Sequence, residues 1–235
     1  PVLTGLIDLA RRNGATLFMV LSAALRVLLA RYSSQDDISI GTPVANRSRV
    51  ETEGLIGCFI NTVVMRRRIA WEVPFIEELA SERDVVLQAL AADSVPFERL
   101  VERLAPQRTL AQSPLFQVML ILQNAPSEAV RLRGVAIEAL DIPHPPAKFD
   151  LTFDLKETAD GLKGRLEFAR DLFRSETASD LVRRLGLLLS HVAADGAVAT
   201  CDLQVIDPGE RERMLHAWNP PFTQVPEPRL LHAQF

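Results

Sequence analysis

The sequence predicts an α/β domain over residues 1–200, followed by a tail over residues 201–235. Three observations carry this reading. Apolar residues between Leu17 and Tyr32, and again between Leu181 and Val192, recur at helical spacing. "LFQVMLIL" (Leu115–Leu122) is apolar throughout, as a strand covered on both faces is. From Phe149 to Phe168, apolar and polar residues alternate on either side of Asp160-Gly161, the pattern of a half-buried hairpin.

The elements follow in order. A short helix over Thr4–Arg12 is expected to end at Gly14. In the next helix Leu17, Val20, Leu21, Ala24, Leu25, Leu28, Leu29 and Tyr32 form a broad apolar face. Asp36-Asp37 opens a strand, "ISIGTPV", that Pro43 closes. A second strand is read over Cys58–Ile69, around the polar pair Asn61-Thr62. Pro74–Ala91 reads as a long amphipathic helix. Pro96–Leu104 reads as a shorter one, with Pro96 in the first turn and Pro106 as its stop. After the central strand and the hairpin, a core helix spans Glu176–Ala194. Asp207-Pro208-Gly209-Glu210 marks one further helix start, with an acidic cap and a proline at the first position. Beyond Trp218 the proline-rich tail reads as an extended linker.

Composition excludes several classes. Hydrophobic residues make up 48% and charged residues 24%, values of a soluble globular chain. The net charge of −4 is not that of a nucleic-acid binder. The most apolar run, Leu17–Leu25, is broken by Ser22 and closed by Arg26, short of the roughly 18 residues of a membrane span. Cys58 and Cys201 have no metal-ligand spacing and are expected as free thiols in a reducing cytoplasm. The chain begins at Pro1 and already reads as folded by Thr4, which is the expectation for a piece of a longer polypeptide.

A search for reaction chemistry finds no assembled centre. The histidines His144, His191, His216 and His232 belong to no metal or nucleophile motif, and no phosphate-cradling glycine loop occurs. No catalytic residue and no metal ligand is assigned. Three largely neutral constellations remain: Gly41-Thr42-Pro43-Val44-Ala45-Asn46-Arg47, Gly57 with Asn61-Thr62, and Pro96-Phe97-Glu98. Asn and Thr could hold a ligand's amide or hydroxyl without demanding a charge. Equally, they could satisfy backbone groups at a bulge or strand end.

Taken together, these residues resemble a known family. "IGCFINTVVMR" (Ile56–Arg66) is similar to the IGxFVNTxxxR motif of condensation domains in nonribosomal peptide synthetases. "SVPFERLVERLAPQR" (Ser94–Arg108) resembles the HQDxPFE motif and the helix after it, and "RTLAQSPLFQVML" (Arg108–Leu120) resembles RDxSRNPLFQVMF. Asp36–Gly57 and Ala147–Phe173 fit as well, and the segment from Glu210 to Phe235 resembles the linker toward an adenylation domain. The chain departs from the pattern at Ala92-Asp93-Ser94 and over Thr109–Ser113, and nothing in it matches the family's catalytic HHxxxDG motif.

The resemblance implies the C-terminal lobe of a two-lobed, chloramphenicol-acetyltransferase-like α/β fold, a mixed sheet packed with helices. It implies part of an enzyme that joins a carrier-bound acyl or peptidyl thioester to the amine of an aminoacyl thioester, inactive alone because the histidine-bearing lobe is missing. It places 4'-phosphopantetheine on partner carrier domains, with nothing bound covalently to this chain. Its partners are the carrier domains, the N-terminal lobe and a downstream adenylation domain. Gly41, Pro43, Arg47, Gly57, Asn61, Thr62 and Arg66 become candidates for the substrate tunnel or lobe interface. Pro96, Phe97, Glu98, Arg108, Pro114 and Leu115 become structural members of the family motifs. A non-catalytic docking scaffold, and an epimerising or ester-forming variant of the fold, are the alternatives. Half of a two-lobed enzyme is also expected to expose an apolar surface.

Overall fold

Thr16 begins the helix on which the rest of the fold is built. In a computed structural model, which describes residues 1–46, 50–104, 113–123 and 147–219, its hydroxyl accepts from the Met19 amide at 3.3 Å. The helix it starts, α2 (Leu17–Ser33), ends at Ser34 in the left-handed conformation, φ 54°. Its burial exceeds the one-sided face read from the sequence, because every residue from Met19 to Ala30 is buried. Three other helices surround it: α1 (Val2–Arg12), α4 (Phe75–Ala91) and α6 (Ser175–Ala194). Arg47, Arg108, His144 and the tail beyond Asn219 lie outside the described residues.

The sheet has the order β2-β1-β3-β4-β5, with β1 (Asp37–Val44), β2 (Asn61–Arg68), β3 (Val118–Gln123), β4 (Leu151–Thr158) and β5 (Gly161–Phe168). Strands β1, β3 and β4 run parallel, and the two edge strands are antiparallel to their neighbours. The sheet is therefore mixed, with the uniformly apolar β3 at its centre. The hairpin turns at Asp160-Gly161, where Gly161 takes φ +132°, a value that favours glycine.

Cross-strand partners share a face, so the register sorts every side chain. Ile38, Ile40, Met65, Leu120, Leu151, Phe153 and Leu155 point at the helices and join the core with Leu25, Leu28, Leu79, Leu185 and Leu188. Gly41, Pro43, Thr62, Met119, Ile121, Thr152, Asp154, Arg165 and Glu167 point the other way. That second face carries little covering among the described residues. Among them, α5 (Phe97–Leu104), the turn before β3 and the segment before β4 lie against it, through Phe97, Phe116 and Phe149.

Helix α1 begins at Val2, two residues before the expected Thr4, and three larger departures follow. Strand β2 begins at Asn61, not Cys58, because the β-branched run starts only at Thr62 and the loop before it is largely exposed. Strand β3 begins at Val118, not Leu115, because Phe116 is committed to packing against the sheet rather than to the ladder. A single helical turn, α3 (Val50–Glu53), is too short to leave a periodic signal in the sequence.

The helix side also holds a buried ionic cluster. Arg26 and Glu82 are both 0% exposed and pair through Nε–Oε2 at 2.8 Å and Nη2–Oε1 at 3.0 Å. Arg67 of β2 donates to Glu82 Oε2 at 2.9 Å and also pairs with Glu78, whose Oε1 accepts from the Ala70 amide at 2.8 Å. Arg26 further donates to the carbonyls of Ile38 and Met65, so every charge has a partner. Burial alone would raise the Glu82 carboxyl, but Arg26 and its hydrogen bonds more than reverse this, and the group titrates below the usual range.

Beyond α6 the chain stays attached. The first α4 amides, of Phe75 and Ile76, donate to the carbonyls of Val198 and Gly196 at 3.0 and 3.1 Å. Arg31 donates to the carbonyls of Thr200, Cys201 and Leu203, and Leu203 is buried in the core. The last helix, α7 (Pro208–Glu212), starts where the sequence predicts, with Asp207 accepting from the Glu210 amide at 2.8 Å. Arg183 and Arg184 on α6 hold Asp207 and Glu210. No single helix among the described residues is long and apolar enough to cross a membrane.

Candidate functional site

Gly41 is where the open face is built. A Cβ there would overlap the Phe116 ring, so the absence of a side chain lets that ring lie on the strand. Phe116 is 0% exposed. It stacks on Phe149 with centroids 4.9 Å apart and meets Phe97 edge-on at 5.7 Å. Phe97 is the first residue of α5, while Pro114 and Leu115 lie in the turn that delivers Phe116. Residues far apart in sequence, from Gly41 to Phe149, thus meet in one aromatic cluster outside the main core.

Asn61 ties a further segment to this cluster. Its Nδ2 donates to the carbonyls of Asp93 at 2.7 Å and Val95 at 2.8 Å. Its Oδ1 accepts from the amides of Phe97 at 3.1 Å and Thr62 at 2.8 Å. An amide side chain has two donors and two acceptor sites, so this one is fully used. It closes the loop before α5 onto the start of β2 and satisfies the first amide of that helix.

Two cavities flank the cluster. One, of about 440 Å³, runs over the open sheet face between Pro43, Thr62, Met119, Phe149, Thr152 and the Asp154–Arg165 pair. The other, of about 330 Å³, lies between the 58–62 segment and the Pro96-Phe97-Glu98 turn, with Asn46 and Ser94 on its rim. Thr62 lines both. Next to them stand exposed apolar side chains: Leu55 at 53%, Ile56 at 106% and Ile60 at 67% of full exposure.

The sequence-predicted residues divide accordingly. Gly41, Pro43, Asn61, Thr62, Pro96, Phe97 and Glu98 come together around the two cavities. Gly57 lies in the exposed loop leading to them. Arg66 sits farther along β2 on the same face as Thr62 and clamps Asp37, Nε–Oδ1 3.1 Å and Nη2–Oδ2 2.9 Å. That hydrogen-bonded pairing holds the Asp37 carboxyl below its usual range. Phe116, Phe149, Met119, Asp154 and Arg165 are site residues that sequence reasoning does not find. The alternation puts Asp154 and Arg165 on the polar side of the hairpin, but only the register shows that side to be a cavity wall.

No acid–base or nucleophilic constellation is assembled among the described residues. His191 Nδ1 accepts from the Gln204 amide at 3.0 Å, and His216 pairs with Glu212 on the surface. No group of metal-ligating side chains occurs among them either. The cavities can hold an extended ligand between the Thr62 and Thr152 hydroxyls, apolar Pro43 and Met119, and the charged groups Asp154, Arg165, Glu167 and Glu98, and no histidine lines either of them.

Comparison with known proteins gives this surface its context. The family model described as "Condensation domain" matches residues 2–215. A linear gramicidin synthase protein of Brevibacillus parabrevis is 43% identical over 229 residues, covering 97% of this chain and 4% of that protein. The X-domain in its complex with OxyB from teicoplanin biosynthesis superimposes with TM-score 0.78 at 29% identity, over 88% of this chain and 46% of its own. The first condensation domain of the CDA synthetase shares the fold, with TM-score 0.68 and 16% identity, over 88% and 46%. The chain thus spans a small fraction of its synthetase relative and under half of each of these solved chains. On the extent of the family match and this identity, the chain belongs to the condensation domains of nonribosomal peptide synthetases.

Proposed function

We propose that this chain is the C-terminal lobe of a condensation domain, forming one wall of the passage in which an amide bond is made. Residues 1–200 are the lobe and 201–235 the linker toward an adenylation domain. The observation that carries the reading is the sheet face left largely uncovered among the described residues, with two cavities meeting at Thr62 and no histidine lining either of them. The solved relatives, of which this chain covers 46% each, support the presence of a second lobe in the complete domain.

In the reaction, the amine of a carrier-bound aminoacyl thioester attacks the carbonyl carbon of an upstream acyl or peptidyl thioester. A C–N bond forms, the C–S bond breaks with the sulfur leaving as a thiolate, and the amine's surplus proton passes through a base to that sulfur. On this reading that base is a histidine of the N-terminal lobe. This chain's part is to line the path of the phosphopantetheine arms, whose amides suit Thr62, Thr152 and the apolar Pro43 and Met119. Gly57, Arg47 and Arg66 are read as flanking the lobe boundary.

The test is condensation with loaded carrier proteins. The chain alone is expected to give no amide product, and supplying a histidine-bearing N-terminal lobe is expected to restore it. Turnover by the chain alone would overturn the reading. A second reading, a docking scaffold without catalysis, is favoured by the likeness to an X-domain that forms a complex with OxyB. Carrier or enzyme binding that persists while the added lobe restores no turnover would select it.

A further inference from the structure

We infer that the Asn61-Thr62 pair divides two tasks: the Thr62 hydroxyl contacts the ligand, and Asn61 is a positioning residue that holds it there. This rests on the passage reading above. Sequence alone gives the two side chains equal standing, since both are small, polar and neutral. The structure separates them. All four hydrogen-bonding positions of the Asn61 amide are taken by the backbone of residues 62, 93, 95 and 97. A ligand could use Asn61 only by displacing one of those bonds.

Thr62 is the opposite case. Among the described residues its hydroxyl has no hydrogen-bond partner, while its amide is fixed by Asn61 Oδ1 at 2.8 Å. Its strand partner is Pro43, so its side chain stands on the open face. It also lines both cavities, the sheet-face groove and the pocket beside the Pro96-Phe97-Glu98 turn. A ligand long enough to occupy both cavities passes Thr62. A hydroxyl both donates and accepts, which fits the amide groups of a pantetheine-like chain. On the passage reading, the class recognised at Thr62 is an extended chain carrying amides.

The division also explains why the loop before α5 is bound so firmly. Phe97 follows that loop and packs on Phe116, which covers Gly41. Asn61 thereby fixes the wall of the second cavity and the strand that presents Thr62 with one set of bonds.

The experiment is a titration of the full chain with free pantetheine, followed by amide and methyl NMR signals. In the wild type, shifts are expected at Thr62 and at residues lining both cavities. Thr62→Val keeps the shape and removes the hydroxyl. It is expected to weaken binding about fivefold to tenfold with residues 93–98 unperturbed. Thr62→Ser should restore most of the affinity. Asn61→Ala should weaken binding while displacing the signals of residues 93–98. Thr62→Val binding as tightly as wild type would overturn the inference. So would an Asn61→Ala chain that loses affinity with residues 93–98 unmoved, since Asn61 would then be the direct contact. No shift at either cavity in the wild type would instead remove the passage reading itself.

Discussion

Gly41 and Phe116 form a contact in which one partner contributes only the absence of a side chain. Because a methyl group at 41 would overlap a fully buried ring, Gly41→Ala is expected to destabilise the fold by about 1–3 kcal/mol, measured by urea denaturation. Phe116→Leu should recover part of this loss in the double variant. The Arg26–Glu82 pair gives a second expectation. Arg26→Met leaves a buried carboxylate short of partners and should cost about 3–5 kcal/mol, whereas Arg26→Met with Glu82→Leu should cost much less. The Glu82 carboxyl is depressed in the fold, so its contribution is fully present above the unfolded glutamate value of about 4.3 and is lost as pH falls through the lower folded value. The stability gap between wild type and Glu82→Gln should therefore close on acidification below that point. None of these pairings was legible in the sequence. Arg26 reads as the polar end of an apolar run, because an ion pair between positions 26 and 82 leaves no local pattern. Asn61 and Thr62 were legible as candidates, but their separation into a spent amide and an available hydroxyl depends on where residues 93–97 lie.

Among the elements, those with strong local periodicity are legible. The hairpin follows from alternation and an Asp-Gly turn, and α4 and α6 from their apolar spacing, each within a residue or two of the observed bounds. The boundary of β3 is misread because Phe116 leaves the ladder to pack on the sheet face, a tertiary event, and that of β2 because the largely exposed loop over 58–60 continues the apolar pattern of the strand. The attachment of α7 is of a different kind, held by charges at and just below the surface: Arg183 to Asp207 and Glu210 at 3.0 and 2.9 Å, and the partly buried Arg184 to Glu210. Such contacts are screened by salt. Hydrogen exchange in residues 203–217 should therefore accelerate in about 0.5 M salt while α2 stays protected, and Arg183→Ala should produce the same change at low salt.

At the scale of the molecule, among the described residues α1, α2, α4 and α6 crowd one face of the sheet, while the other carries α5, a small aromatic cluster and two cavities. The mixed α/β class was legible, because its signals are periodic and repeated along the chain. The asymmetry was not, since Met119, Thr152 and Arg165 reveal a shared face only through the register. With Leu55, Ile56 and Ile60 exposed beside that face, the chain should bind a hydrophobic dye measurably. Addition of an N-terminal lobe should suppress the dye signal and raise the melting temperature in proportion to its concentration.

The packing of α1 against α6 also sets a timetable for biosynthesis. Gly5 lies against Ala193, so the first helix finds its partner only when the end of α6 has left the ribosome. At ordinary rates of synthesis this interval is on the order of ten seconds. For that time Leu6 and Leu9, buried in the finished fold, lack the α6 side of their packing, and the nascent chain depends on chaperones or on the neighbouring α2 to shield them.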